Sequence, residues 1–297
     1  MCLLVVAGVQ AGCATASGPS WTGGQGPQER TSTRLAKPGK PVDVAKPGGS
    51  RGDLVPTVEA RDPTLSAALL ELAMSPTPER HRRVAERYRE LGILDAAYDH
   101  FDRARQLDPT DAVAHEGLAR VWRDWGFPHL GLADASRAVY FAPSRATVYN
   151  TLGTLLAGTG RQREARRAWE HALALEPRAA YVLNNLCYLS FLQGETTNAL
   201  AECHAALAID PELTAARNNL ALVDAARGRD DLAKRELLAA RDAAAGLYNI
   251  GILDLAAKHY ASAVAAFEAA HRERPSWAEA HERALQARRL LRAAASE

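Results

Sequence analysis

The residues of this chain that could do chemistry are nine histidines, four cysteines and a balanced set of charges, and their spacing offers little of it. Cys203 and His204 adjoin, but no second Cys/His pair stands at ligand spacing, and a zinc site needs three or four such groups. Residues 153–160 (GTLLAGTG) carry the glycines of a phosphate loop without its lysine. No GxSxG elbow and no HExxH occurs. Arg51, Gly52 and Asp53 form a tripeptide known for cell adhesion, which in a Gly-rich run reads as chance. No catalytic constellation, metal set or cofactor is implied. What remains is hydrogen bonding. The phrase YVLNNLCYLSFLQG (181–194) sets two asparagines in an apolar run, and the doublet returns in RNNLALV (217–223). Asparagine is a mediocre helix former, so its recurrence inside apolar segments calls for a role. An amide both donates and accepts, which suits it to the main chain of an extended peptide.

The elements that position these residues follow from composition. Of 297 residues, 47% are hydrophobic and only 6% aromatic, so Ala and Leu build the core, which favours packed helices over a sheet. The net charge of +1 gives no electrostatic reason to expect nucleic acid. Residues 3–9 are a short apolar run, far below the ~20 residues of a membrane span. Small residues follow it, as in a secretory signal. Its end, VQAGC, resembles the lipobox of bacterial lipoproteins, with Ala11, Gly12 and Cys13 in the matching places. The resemblance implies lipidation at Cys13. Gln10 departs from it, standing where the motif prefers an aliphatic residue, and no Lys or Arg precedes the run. Residues 14–61 are rich in Gly, Pro and Lys, with AKPG at 36–39 and 45–48, and read as a disordered tether.

Beyond the tether the chain repeats. Gly92, Gly126, Gly160, Gly194 and Gly228 are 34 residues apart, as are Pro109, Pro143, Pro177 and Pro211, and Ala104, Ala138, Ala172, Ala206 and Ala240. This resembles the tetratricopeptide repeat, a helix-turn-helix unit of about 34 residues. The expected fold is all-α: a right-handed superhelical solenoid of six units, 78–111, 112–145, 146–179, 180–213, 214–243 and 244–277. Helical caps are expected at 62–77 and 278–297. The glycine takes the fifteenth place, between helices A and B, and the proline the thirty-second. The eighth and twentieth places are small because A touches B there (Ala85/Ala97, Ala119/Gly131, Gly153/Ala165, Cys187/Ala199, Ala221/Ala233). The fifth unit is four residues short, which calls for a tightened B helix or turn. His81, His115 and His281 hold the fourth place and are read as core.

At ~100° per residue the second, fifth, sixth, ninth, twelfth and thirteenth places of helix A turn away from helix B. In the family that face lines the concave groove. The resemblance therefore puts Asn184, Asn185, Asn218 and Asn219 on the groove wall, with Asn150, Thr151 and Asn249 in equivalent places. Tyr181, Tyr188 and Phe191 stand beside them. Some family members hold peptides on such an asparagine ladder. In the first two units the same face carries Arg82, Arg83, Glu86, Arg89, Glu116, Arg120 and Arg123, read as solvated. Cys187 and Cys203 fall on facing sides of the fourth unit. They pair if the chain is exported and are two small buried hydrophobes if it is not.

The functional expectation is a non-catalytic scaffold binding an extended segment of a protein partner. The phrases quoted are similar to those of tetratricopeptide lipoproteins of tight-adherence and type IV pilus assembly. That resemblance implies a lipid-anchored envelope factor facing the periplasm. The alternatives are a cytoplasmic adaptor or co-chaperone, or the regulatory subunit of a separate enzyme.

Overall fold

The computed structural model describes residues 61–239 and 242–295. Cys13 and residues 14–60 of the tether lie outside the described residues. The first described helix is α1 (Pro63–Met74), capped by Asp62, whose carboxylate accepts from the Leu65 amide at 2.7 Å. Then come alternating A and B helices: α2 (Pro78–Glu90) and α3 (Leu94–Leu107), α4 (Ala112–Asp124) and α5 (Pro128–Phe141), α6 (Ala146–Gly158) and α7 (Gln162–Leu175). They continue with α8 (Ala180–Leu192) and α9 (Thr196–Ile209), α10 (Thr214–Ala226) and α11 (Asp230–Leu238), α12 (Ala243–Ala256) and α13 (Tyr260–Glu273). α14 (Ala278–Ala294) closes the stack by burying Ala280, Ala284 and Ala287. Among the described residues no strand occurs and no helix is long and apolar enough to cross a membrane.

Within each unit A and B lie against each other where side chains are small. Ala85, Ala97, Ala119, Ala135, Ala165, Ala172, Ala199, Ala221, Ala233 and Ala263 are fully buried. The facing eighth and twenty-fourth places form a slot that each unit fills differently. In the third unit a Cβ on Gly153 would fall 2.6 Å from Trp169 Nε1, and in the sixth a Cβ on Gly251 would fall 2.7 Å from the Phe267 ring. In the fourth unit Cys187 and Cys203 occupy that slot as a disulfide, their Cα atoms 5.3 Å apart. The covalent bond stands where other units seat an aromatic ring on a glycine.

The A-to-B turns run through Gly92, Gly126, Gly160, Gly194 and Gly228, all at φ of 71–82°. The sixth unit places Lys258 there at φ 62°. A side chain in the left-handed region costs roughly 1–2 kcal/mol, partly offset for glycine by its unfolded-state entropy. Lys258→Gly is therefore expected to stabilise the C-terminal units by about 0.5–1 kcal/mol, read as a raised urea midpoint. The shortfall of the fifth unit falls in its B helix: α11 has nine residues where α7, α9 and α13 have fourteen. The next A helix approaches closely, so that a Cβ on Gly246 would sit 2.3 Å from the Leu237 carbonyl oxygen.

Successive A helices pack on one another, α2 on α4, α4 on α6, α8 on α10 and α10 on α12, whereas successive B helices do not pack comparably. The A row is thus the inside of the curve, and its shared face is the concave surface.

Candidate binding groove

The asparagines form a ladder, and the ladder is internal. Asn185 Nδ2 donates to Asn150 Oδ1 at 2.8 Å, and Asn219 Nδ2 donates to Asn184 Oδ1 at 2.8 Å. One step earlier Thr151 Oγ1 donates to Glu116 Oε1 at 3.0 Å. Each rung joins the fifth place of one unit to the sixth place of the next. A doublet therefore looks both ways, its first amide accepting from the following unit and its second donating to the preceding one. The helical wheel turns these residues toward open groove, but Thr151, Asn184, Asn185 and Asn219 are 4%, 3%, 7% and 1% exposed. Stacking brings neighbouring A helices close enough for the amides to satisfy one another. Asn150, Asn218 and Asn249 are half-buried. Asn219→Ala would leave Asn184 Oδ1 buried without its donor, so a loss of roughly 1–3 kcal/mol is expected, seen as a lower melting temperature.

The charged face of the first two units extends the stitching and is not simply solvated. Arg89, 6% exposed, donates to Glu86 at 2.6 Å and to Asp124 at 2.9 Å, and Arg120 reaches Glu86 from the next unit at 2.9 Å. Burial pushes the Glu86 carboxyl up, but Arg89 and Arg120 outweigh it and hold it below the usual range. Arg82 pairs with Asp111 across the first joint, while Arg83 and Arg123 stay near the surface with Glu71 and Asp124. The fourth-place histidines divide. His115 is buried between Asp134 Oδ1 and the Pro109 carbonyl, His81 is half-buried against His100, and His281 is exposed, with its ring 5.1 Å from that of His271.

The concave face opens at the fourth to sixth units into a cavity of about 540 Å³. Its walls are Tyr188, Phe191 and Leu192 of α8, Leu222 and Ala226 of α10, and Leu253 of α12. These are chiefly ninth-, twelfth- and thirteenth-place residues. Tyr188 and Phe191 are thus brought together, and burial raises the Tyr188 hydroxyl pKa. Tyr181 instead donates to Glu176 at 3.1 Å; desolvation and that bond push it up to about 12. At the edge Lys234 Nζ lies 2.8 Å from Asp254, which is 3% exposed, and Asp230 stands at the rim. Leu192, Leu222, Leu253 and the Lys234–Asp254 pair escaped the sequence reading. Leu192 and Leu222 lie at groove places and could have been selected by apolarity; the ion pair joins a B helix to the next A helix and has no local signal. No group of three His, Cys, Asp or Glu able to hold a metal occurs among the described residues.

An A row inside, a B row outside and a left-handed turn residue between them in each unit, glycine in the first five, define a tetratricopeptide-repeat α-solenoid with a groove on its inner face. Solved structures share the architecture. A chain of the APC/C hetero-tetramer Cut9–Hcn1 matches with a TM-score of 0.64 at 18% identity, covering 75% of this chain and 45% of that one. The Pseudomonas aeruginosa pilF structure matches with a TM-score of 0.54 at 20% identity, over 69% of this chain and 95% of that one. YrrB, a TPR protein with an unusual peptide-binding site, matches with a TM-score of 0.43 at 16% identity, over 76% and 99%. The chain spans less than half the length of the Cut9–Hcn1 chain it matches. No family model matches the chain, and no curated protein matches it in sequence.

Proposed function

We propose that this chain is a non-catalytic scaffold that holds an extended segment of a partner protein on its concave face, over the fourth to sixth units. The observation that carries the reading is the 540 Å³ cavity, apolar in its walls and within the roughly 300–1,000 Å³ of ligand sites. A photo-crosslinking residue at Leu222, in the groove, should trap a discrete partner in the native host. The same residue at Tyr140, 78% exposed on a B helix, should not. Equal capture from both positions, or none from Leu222, would refute it.

The finer reading is an envelope lipoprotein, anchored at Cys13 and facing the periplasm, that helps assemble a pilus or secretion complex. The resemblance of VQAGC to a lipobox supports it. So does the Cys187–Cys203 bond, since structural disulfides persist in oxidising compartments. Labelling with a palmitate analogue should depend on Cys13 and vanish in Cys13→Ser. A chain that stays unlabelled and cytosolic removes the envelope reading and leaves the scaffold.

A further inference from the structure

The side chains that stitch one A helix to the next follow a fixed offset. A fifth-place residue meets the sixth place of the following A helix, as Glu116 meets Thr151, Asn150 meets Asn185 and Asn184 meets Asn219. A twelfth-place residue meets the thirteenth, as Arg89 meets Asp124 at 2.9 Å. The last helix keeps this register as an A helix: Arg283, at the sixth place of α14, hydrogen-bonds with the Tyr248 hydroxyl at the fifth place of α12.

The same places are exposed where the row meets solvent. Among the described residues no A helix precedes α2. Its sixth-place Arg83 has a side chain 62% exposed and turns back to Glu71 of α1, whereas the sixth-place Thr151, Asn185 and Asn219 are buried. The side chain of its thirteenth-place Glu90 is 44% exposed. Beside Arg83 lies an open notch of about 440 Å³, walled by Pro63, Thr64, Ala67, Ala68 and Glu71 of α1. Apart from Glu71 these are short side chains, of the kind that lets helices approach elsewhere in the stack. In the repeat register an A helix for that notch would fall on residues 44–56, where Pro47, Gly48, Gly49, Gly52 and Pro56 all oppose a helix. At the other end α14 buries Ala280, Ala284 and Ala287 and leaves fifth-place Glu282, eighth-place Leu285 and twelfth-place Arg289 exposed. In α8 the eighth-place Cys187 is fully buried.

The two ends match in sign at both offsets. Placing α14 of one copy ahead of α2 of another sets Glu282 opposite Arg83 and Arg289 opposite Glu90. The second pairing repeats the charges of Arg89 and Asp124. Leu285, 41% exposed, then faces the short side chains of the notch. We propose that the notch between α1 and α2 is the seat for α14 of a second copy of this chain, so that copies join head to tail and the A row runs on from one to the next. A heterologous contact of this kind leaves a free notch and a free α14 at the ends of each open assembly, which can therefore grow. The proposal does not depend on what the concave cavity holds; it lengthens the inner face by joining copies.

Sedimentation equilibrium of the full chain tests it. Two surface ion pairs and one leucine make a weak contact, so a dissociation constant of roughly 100 µM is expected. The mean mass should rise with concentration beyond that of a dimer and fall back toward the monomer as salt screens the pairs. Glu282→Arg, which damages the α14 face, and Ala67→Arg, which plugs the notch, should each leave the chain monomeric. Both positions are exposed, so helical content and melting temperature should be unchanged. Arg289→Glu provides a second variant of the α14 face should Glu282→Arg misfold. Mixing Glu282→Arg with Ala67→Arg should give a one-to-one dimer that grows no further, because one intact α14 face and one intact notch remain. A wild-type chain that stays monomeric to about 1 mM would overturn the proposal. So would assembly that stops at a dimer, or assembly that survives both substitutions. Crosslinking from Leu222 is unaffected in each of those cases, so failure of the end contact and failure of the scaffold reading are distinguishable.

Discussion

Phe267→Ala is expected to cost about 3–5 kcal/mol and to unfold the C-terminal units ahead of the rest. The Phe267 ring is fully buried and lies directly on the Cα of Gly251, with the Tyr248 ring edge-on at 5.3 Å. Tyr248 in turn stacks on Trp277 at 4.6 Å and donates to Glu279 at 2.8 Å, so the same ring supports the attachment of α14. The converse substitution tests the contact itself. A methyl at Gly251 would sit 2.7 Å from two ring carbons, so Gly251→Ala should cost roughly 1–3 kcal/mol by overpacking. In a Phe267→Leu background that cost should fall, giving a coupling that two independent sites would not show. Chemical unfolding of wild type, Phe267→Ala, Gly251→Ala, Phe267→Leu and the Gly251→Ala/Phe267→Leu double variant, followed by tryptophan fluorescence, reads all of it.

Loss of the Cys187–Cys203 bond is expected to lower stability by about 3 kcal/mol, from a sequence separation of 16 residues. That corresponds to roughly 6–12 °C in melting temperature for a chain of this size. The comparison is wild type with and without reductant against Cys187→Ala/Cys203→Ala. Reductant should lower the melting temperature of the first and leave the second unchanged. Both sulfurs are fully buried, so reduction should proceed only at the rate at which the fourth unit opens. The bond fixes α8 against α9, and α8 carries Tyr188, Phe191 and Leu192 of the cavity wall. It therefore belongs to the groove as much as to the core.

The helical units were legible because their signals are local. Gly160 or Gly194 marks a turn that needs positive φ, and Ala172 or Ala206 marks a contact with no room for a larger group. The asparagines were not legible in the same way. A helical wheel shows that Asn184 and Asn185 turn away from helix B, but not how near the next A helix lies. The clue was in the numbering: the bonded pairs 150/185 and 184/219 are separated by 35 residues, one more than the repeat. A residue meeting its own equivalent would be separated by 34. The extra residue means that the fifth place meets the sixth, and it explains why asparagines come in doublets. The Lys234–Asp254 pair and the cavity beside it had no such clue, because both arise where the fifth unit is shortened and the period breaks.

The stitched ladder gives the inner wall its rigidity, and the apolar cavity at its far end gives that wall something to hold. If the concave face of the fourth to sixth units binds a partner, its own leucines must feel the partner directly. Methyl-labelled leucine NMR of the full chain, titrated with the segment trapped from Leu222, reports this. Shifts should concentrate on Leu192, Leu222 and Leu253, with Leu130 and Leu175 on the B helices unmoved. Shifts confined to the B-helix leucines, with the three groove leucines unchanged, would contradict it.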